Sequence, residues 1–391
     1  MSRKYVILRS ETAPVAKRRG TPRAEPLALV RPAVDVAELQ PRAAASLTQK
    51  KFIKAVAPVV PMKLIAPVGG DAPAPPAMGN VTWGIEAVRA DKSPFTGDGI
   101  VVAVLDTGIN PAHPAFAGVE IVRKNFTTSS DDDDNGHGTH CAATILGRNV
   151  DGVRIGVAPG VRKALIGKVL GAGGGGSDRV AQAIYWAVSG GANVISMSLG
   201  IDFPGYVTSL EADGVPTELA TSMALEGYRA NILLFERLAS FVAAQEAFMQ
   251  VALLIAAAGN ESRRNVNPDF EIAASPPAVA DGFVSVAALG KGPQGLTVAP
   301  FSNVGARVSA PGVEIVSANH TGGLVAKSGT SMATPHVAGV AVLWAQKLAT
   351  SGALGGKLLA DRLIGTATTG GIAPGADPHD IGAGLVQAPP D

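Results

Sequence analysis

Four apolar runs of strand length recur along the chain: IVVAVLD (100–106), ALIGKVL (164–170), ANVISMSLG (192–200) and VALLIAAAG (251–259). Apolar residues run through them without strict alternation, so each strand must be covered on both faces. That is the pattern of a parallel sheet packed between helices. The intervening stretch DRVAQAIYWAVSGG (178–191) has a helical repeat. The expected fold class is α/β, a mainly parallel sheet flanked by helices, and in such sheets functional residues gather at the carboxyl ends of the strands. No internal repeat is visible.

The front of the chain has a different texture. RKYVILR (3–9) reads as a strand followed by a Pro- and Arg-rich loop. Residues 35–49 look partly helical, with Pro41 interrupting the pattern. FIKAVAPVVPMKLIAPV (52–68) must be extended because its prolines exclude a helix, and GGDAPAPPAMGN (69–80) reads as a linker. This divides the chain into a small α+β segment, 1–75, and a main domain, 76–391. Within the latter, about 201–250 forms an insertion whose TELATSMALEGYRANILLFERLASFVAAQEAFMQ (217–250) predicts one long helix or a helical hairpin.

Aromatic residues make up only 5% of the chain, so Ala, Val, Leu and Ile must build the core. The net charge of +1 gives no whole-molecule attraction to nucleic acid or to acidic membranes, and neither is expected as a partner. Residues 1–63 hold thirteen Lys or Arg against four Asp or Glu, which leaves the remainder acidic and suggests docking of front on body. Cys141 is the one cysteine, so no intrachain disulfide forms. The most apolar window, 248–260, is too short to span a membrane. No long apolar run precedes Glu11, so the expected location is cytoplasmic, with export by another route left open.

Three short motifs carry candidate chemistry. Asp106 ends an apolar strand in VVAVLDTGI, where a carboxylate can be desolvated and aimed, or can simply cap a turn. His137 stands between glycines in NGHGTHCAATILG (135–147). His140 follows three residues later, but six histidines without HExxH or CxxC spacing argue against a metal pair, and no metal ligands are assigned. In SGTSMATPHVAG (328–339) Ser331 falls at a helix amino end, where free N–H groups favour developing negative charge. His336 is five residues on, about 140° around the helix, so it packs rather than serves as the base.

Carboxylate, imidazole and hydroxyl in the order Asp, His, Ser supply an acyl-transfer site. With VAVLDTGI, HGTHCA, GTSMATPHVAG, KVLG, SMSLG and AAAGN, the sequence from about Thr82 to Val386 resembles the subtilisin-like serine proteases. The resemblance implies an endopeptidase with Ser331 as nucleophile, His137 as general base, Asp106 as its partner and Asn260 as oxyanion donor. A peptide substrate would add as a β-strand between LGAGGGG (170–176) and SLG (198–200). The implied substrate-binding residues are Leu170, Gly174, Gly175, Gly176, Ser198, Leu199 and Gly200, with a small apolar P1 pocket bordered by 198–200, 257–260 and 273–276. Asp178 and the run Asp131–Asp134 offer a basic preference at P4 and P2, against the commoner reading of such an acidic loop as simply solvated. Cys141 would lie beneath the site as a buried structural thiol.

The resemblance also implies that residues 1 to about 75 are a propeptide, an intramolecular inhibitor released by self-cleavage between about Pro67 and Asn80. No cofactor is required. Many subtilases bind calcium just after the histidine motif, but here Val150 and Ala115 occupy two oxygen-ligand positions, so that site is not expected. Two alternatives stay open: a non-catalytic peptide-binding module on the same fold, and transpeptidation.

Overall fold

Val101–Asp106 lies inside a sheet of eight strands because its residues are apolar on both sides. The computed structural model describes residues 2–12, 30–74, 79–246 and 250–391. It orders the sheet Gly295–Val298, Phe283–Gly292, Leu253–Ala257, Val194–Met197, Val101–Asp106, Lys163–Lys168 and Glu120–Asn125, with Val308–Pro311 also pairing with Phe283–Gly292. The pairings are parallel except the edge hairpin of Gly295–Val298 with Phe283–Gly292. Alternate residues separate to the two faces. Val102 and Val104 pack with Ala142, Ile145 and Val337 of the helices His137–Leu146 and Thr330–Thr350. Ala103 and Leu105 join the opposite core with Ile184 of Ser177–Ser189 and Leu238 of Thr217–Gln245.

The amino-terminal part is an antiparallel sheet with Arg3–Thr12 between Val30–Leu39 and Ile53–Pro58. The helical reading of 35–49 needs correction. Residues 35–39 continue a strand, pairing with Ile7 back to Arg3, and the helix is confined to Pro41–Leu47. Pro41 opens that helix, where its missing N–H is no loss. The predicted Pro- and Arg-rich loop falls largely on 13–29, and part of the predicted linker on 75–78, outside the described residues.

Val6, Leu8, Ala55, Ala57, Val60 and Met62 of this front part are buried in the same core as Ala181, Ile184, Leu234 and Leu238. Full burial of a Val, Leu or Met side chain is worth about 1.5–3 kcal/mol, so apolar packing joins the two, and Lys63 adds ion pairs to the body. The segment expected as an insertion supplies much of the platform. Its helix Thr217–Gln245 is one 29-residue helix, preceded by Phe203–Ala212. The buried Asn231 on it donates from Nδ2 to Pro58 O at 2.9 Å.

Beyond Pro58 the chain does not leave the body. Pro61–Leu64 inserts as the middle strand between Leu199–Ile201 and Gly175–Gly176. Ala72–Pro73 then pairs with Leu324–Lys327.

Candidate active site

Asp106 closes its strand with its side chain almost wholly buried, and its Oδ1 accepts from Thr107 N at 2.7 Å. The same oxygen lies 2.8 Å from His137 Nδ1. A carboxylate can only accept here, so the proton sits on Nδ1 and Nε2 of the neutral ring carries a lone pair. Nε2 is buried and has no partner among the described residues. Burial disfavours an imidazolium, but the charge of Asp106 outweighs it and holds the His137 pKa well above the usual 6.5. His137 opens the helix His137–Leu146 after Gly136, which is left-handed at φ +85°. A Cβ on Gly138 would sit 2.2 Å from Gly108 O, so only glycine lets this helix close against the aspartate turn.

Ser331 is the second residue of the helix Thr330–Thr350. Pro335 lies inside this helix and cannot donate to the carbonyl four residues back, which belongs to Ser331. That oxygen is capped instead by the Cys141 thiol at 3.3 Å and the Ser198 hydroxyl at 3.4 Å. Cys141 Sγ is also 3.7 Å from His137 Nδ1, so one thiol touches both the histidine and the serine backbone. Burial pushes the Cys141 thiol up.

Asn260 follows the strand Leu253–Ala257. Its Oδ1 accepts from Thr330 N and Thr330 Oγ1, both at 2.9 Å. These bonds fix the amide so that Nδ2 is the free donor, and it reaches Ala66 O at 2.9 Å.

The remaining sequence candidates line the inserted strand. Gly176 is paired with Pro61, Gly175 with Met62, Leu199 with Leu64 and Gly200 with Lys63. Ser198 O accepts from Ile65 N at 3.4 Å. Leu170 and Gly174 border a cavity of about 490 Å³ together with Met62, Leu64 and Asp134. Asp178 lies in the first turn of the helix Ser177–Ser189. Ser331 Oγ donates to Ile65 O at 2.8 Å, and Val68 N donates to Ser328 O at 2.7 Å. The peptide bond at the serine is thus Ile65–Ala66, just before the 67–80 interval in which the sequence placed a break.

The acidic run is not a free patch. Asp133 is buried and accepts from Thr107 Oγ1, Gly136 N, Thr139 N and Thr139 Oγ1. Asp131 accepts from Asn125, Asp132 pairs with Arg123, and Asp134 pairs with Lys168. Asp131, Asp132 and Asp134 stay exposed but are each paired with a neighbouring strand, which weakens the expected basic preference at P2. The histidines at 140 and 336 are buried and bonded to backbone carbonyls. His140 is held near pKa 3 by burial, with Lys327 and His137 adding to the shift, and its Nε2 lies 3.0 Å from Ile315 O. Burial holds His336 near 4, and its Nδ1 bonds Met332 O at 2.8 Å. Among the described residues, the group spaced to hold a metal ion is Asp106, His137 and Cys141, which is the site itself.

Sequence reasoning missed Asp133, Thr107 and Thr330 as organisers of the site. The adjacency of Thr107 and Thr330 to Asp106 and Ser331 was the available signal. Lys63, Asp71 and Lys327 carried no local signal, because their partners are distant in sequence.

Residues 97–384 match the family described as "Subtilase family". The chain is 36% identical to the "Thermostable alkaline protease" of Halalkalibacterium halodurans over 67% of its own length and 62% of that protein. It is 34% identical to the "M-protease" of Shouchella clausii, covering 68% and 60% of the two chains, and 34% identical to "Subtilisin Savinase" of Lederbergia lenta, covering 68% and 85%. The match thus spans less than two thirds of the first two relatives. These relatives are secreted extracellular proteases, which overturns the expectation of a cytoplasmic location.

Proposed function

The chain belongs to the subtilase family, and on that premise we propose that it is a serine endopeptidase acting on peptide or protein substrates, with Ser331 as nucleophile. The observation that carries this reading is the Ile65–Ala66 peptide laid on Ser331, with Asn260 beside it and the buried Asp106–His137 pair behind it. Ser331 Oγ attacks the substrate carbonyl carbon and passes its proton to His137 Nε2. Asp106 holds the ring tautomer and stabilises the imidazolium. The Asn260 amide stabilises the tetrahedral oxygen. The imidazolium protonates the leaving amine, and water then hydrolyses the acyl-enzyme on Ser331.

Residues 1 to about 75 act in this reading as an intramolecular inhibitor. Their segment follows the path of a substrate but is out of line for attack: Asn260 Nδ2 is engaged by Ala66 O, while Ile65 O rests on the Ser331 hydroxyl. Self-processing at Ile65–Ala66 requires Asn260 to exchange one carbonyl for the other. Ala66–Pro67 is the less suitable bond, because Ile65 rather than Ala66 donates its N–H to Ser198 O. The main domain, about 76–391, carries the catalytic groups, and Ser198, Leu199, Gly200, Leu170 and Gly174–Gly176 bind the substrate strand.

Subtilases generally need no cofactor and often bind calcium. The loop after the histidine motif does not suit calcium in this chain. Val150 and Ala115 are buried apolar residues there, and Arg148 donates to Leu146 O, Pro159 O and Val161 O of the same loop.

A peptide library digested by the full chain and by Ser331→Ala, with products identified by mass, tests the assignment. Hydrolysis by the parent alone supports it; equal products from both, or none from either, refutes it.

A further inference from the structure

We propose that the cleft is charge-polarised: Asp202 and Glu261 select a cation at the third residue before the scissile bond, and Lys327 selects a carboxylate on the far side of it. The inference deepens the peptidase reading, and its substrate arm rests on that reading.

The chain's own segment displays the complement. Counting back from Ile65, Lys63 is third, and its backbone is fixed opposite Gly200 by antiparallel pairing. Its Nζ lies 3.5 Å from Asp202 Oδ1 and 3.3 Å from Glu261 Oε1. The two carboxylates come from different parts of the chain and converge on one ammonium. Across the serine, Val68 is held on Ser328 O. Gly69 and Gly70, at φ +83° and +75°, then turn the chain so that Asp71 meets Lys327 before Ala72 pairs with Ala326. The Lys327 side chain is only 6% exposed beneath this segment, and among the described residues Asp71 is the side-chain partner the structure gives it. A poorly hydrated ammonium at the edge of a cleft favours a carboxylate over a neutral or cationic group. When residues up to Ile65 depart and the new amino end from Ala66 to Asp71 swings off Lys327, both charge sites turn to the incoming peptide, one on each side of the bond to be cut.

Internally quenched peptides built on residues 62–72 test the substrate arm. Replacing the residue equivalent to Lys63 by Glu should lower kcat/KM about fivefold, since its partners are half-exposed. Replacing the equivalent of Asp71 by Lys should lower it about tenfold. In Asp202→Asn/Glu261→Gln the first discrimination should fall to within about twofold while the second persists, and Lys327→Met should do the reverse. Asn at 202 keeps an acceptor for Gly205 N at the helix start, so the fold is spared. Discrimination that survives in the neutral variants, or was never present, overturns the proposal.

Hydrogen exchange of amides 60–73 in the intact Ser331→Ala chain gives a readout without catalysis. Lys63→Glu and Asp71→Lys should each speed exchange several-fold, and adding Lys327→Glu to Asp71→Lys should restore it. Unchanged exchange overturns the proposal. Faster exchange that the swap restores, in a protein that cuts no peptide, upholds the charge recognition and refutes the peptidase reading.

Discussion

Asp106 Oδ1 stands 2.8 Å from His137 Nδ1, and both side chains are out of water. As a base, His137 works only when neutral, and Asp106 holds its pKa well above 6.5. The ascending limb of kcat/KM against pH should therefore lie above 6.5. Asp106→Asn should shift it down and cut kcat about 10⁴-fold. The effect on stability has the opposite sense. A raised pKa contributes stability that is fully present below the unfolded value of about 6.5 and is lost as pH rises through the folded value. The Tm of the parent should fall across that alkaline window more than that of Asp106→Asn.

Asn260 bonds Thr330 through one end of its amide and faces the cleft with the other. Asn260→Ala should lower kcat about 100- to 1,000-fold, with KM within about twofold, because the donor acts on charge that develops in the transition state. Steady-state kinetics on one peptide separates the two parameters. A change confined to KM would mean that Asn260 only binds substrate.

Cys141 caps the Ser331 carbonyl that Pro335 leaves without a partner, and burial pushes its thiol up. In the folded protein it should not react with a disulfide reagent at neutral pH, and it should react stoichiometrically after denaturation. Cys141→Ala removes one of the two caps, leaving the Ser198 hydroxyl, and opens a small void, for an expected loss of about 1–2 kcal/mol in a urea titration.

Asp133 ties Thr107, Gly136 and Thr139 together beneath the site. Burial works against its charge, but the hydroxyl and N–H donors prevail and its pKa is lowered. Its contribution to stability is therefore present above the unfolded value of about 3.9 and is lost as pH falls through the folded one. Asp133→Ala strands several buried donors and should cost about 3 kcal/mol at neutral pH. The difference in unfolding free energy from the parent should shrink as the solution is acidified below about pH 4.

Arg148 donates to Leu146 O at 3.0 Å and Val161 O at 2.8 Å, bracing the loop after the histidine motif. Arg148→Met should cost about 2 kcal/mol. A chelator should leave the Tm of the parent unchanged, and calorimetry with and without chelator checks both expectations.

The parallel sheet was legible because Val101–Asp106 and its neighbours are buried on both faces, and uninterrupted apolar runs say so directly. The candidate site was legible because Asp106, His137 and Ser331 each sit in a short motif whose glycines and helix starts have local meaning. What could not be read was pairing at a distance. Nothing local ties Lys63 to Asp202 or Asp71 to Lys327. Residues 35–39 were misread as helical because a short segment of Val, Ala and Glu fits either period until its partner, Arg3–Ile7, is known. Asp133 could not be told from its exposed neighbours, because sequence does not show that Thr107 and Thr139 close over it.

The central claim is that Ser331 is an activated nucleophile with the chain's own Ile65–Ala66 bond across it. The most direct measurement is the intact mass of the purified full chain over time, with a fluorophosphonate added, beside Ser331→Ala. The parent should split into a fragment ending at Ile65 and one beginning at Ala66, and the larger fragment should take up one fluorophosphonate on Ser331. A Ser331→Ala chain that splits at the same bond and rate, or a parent that never takes up the label, would contradict it.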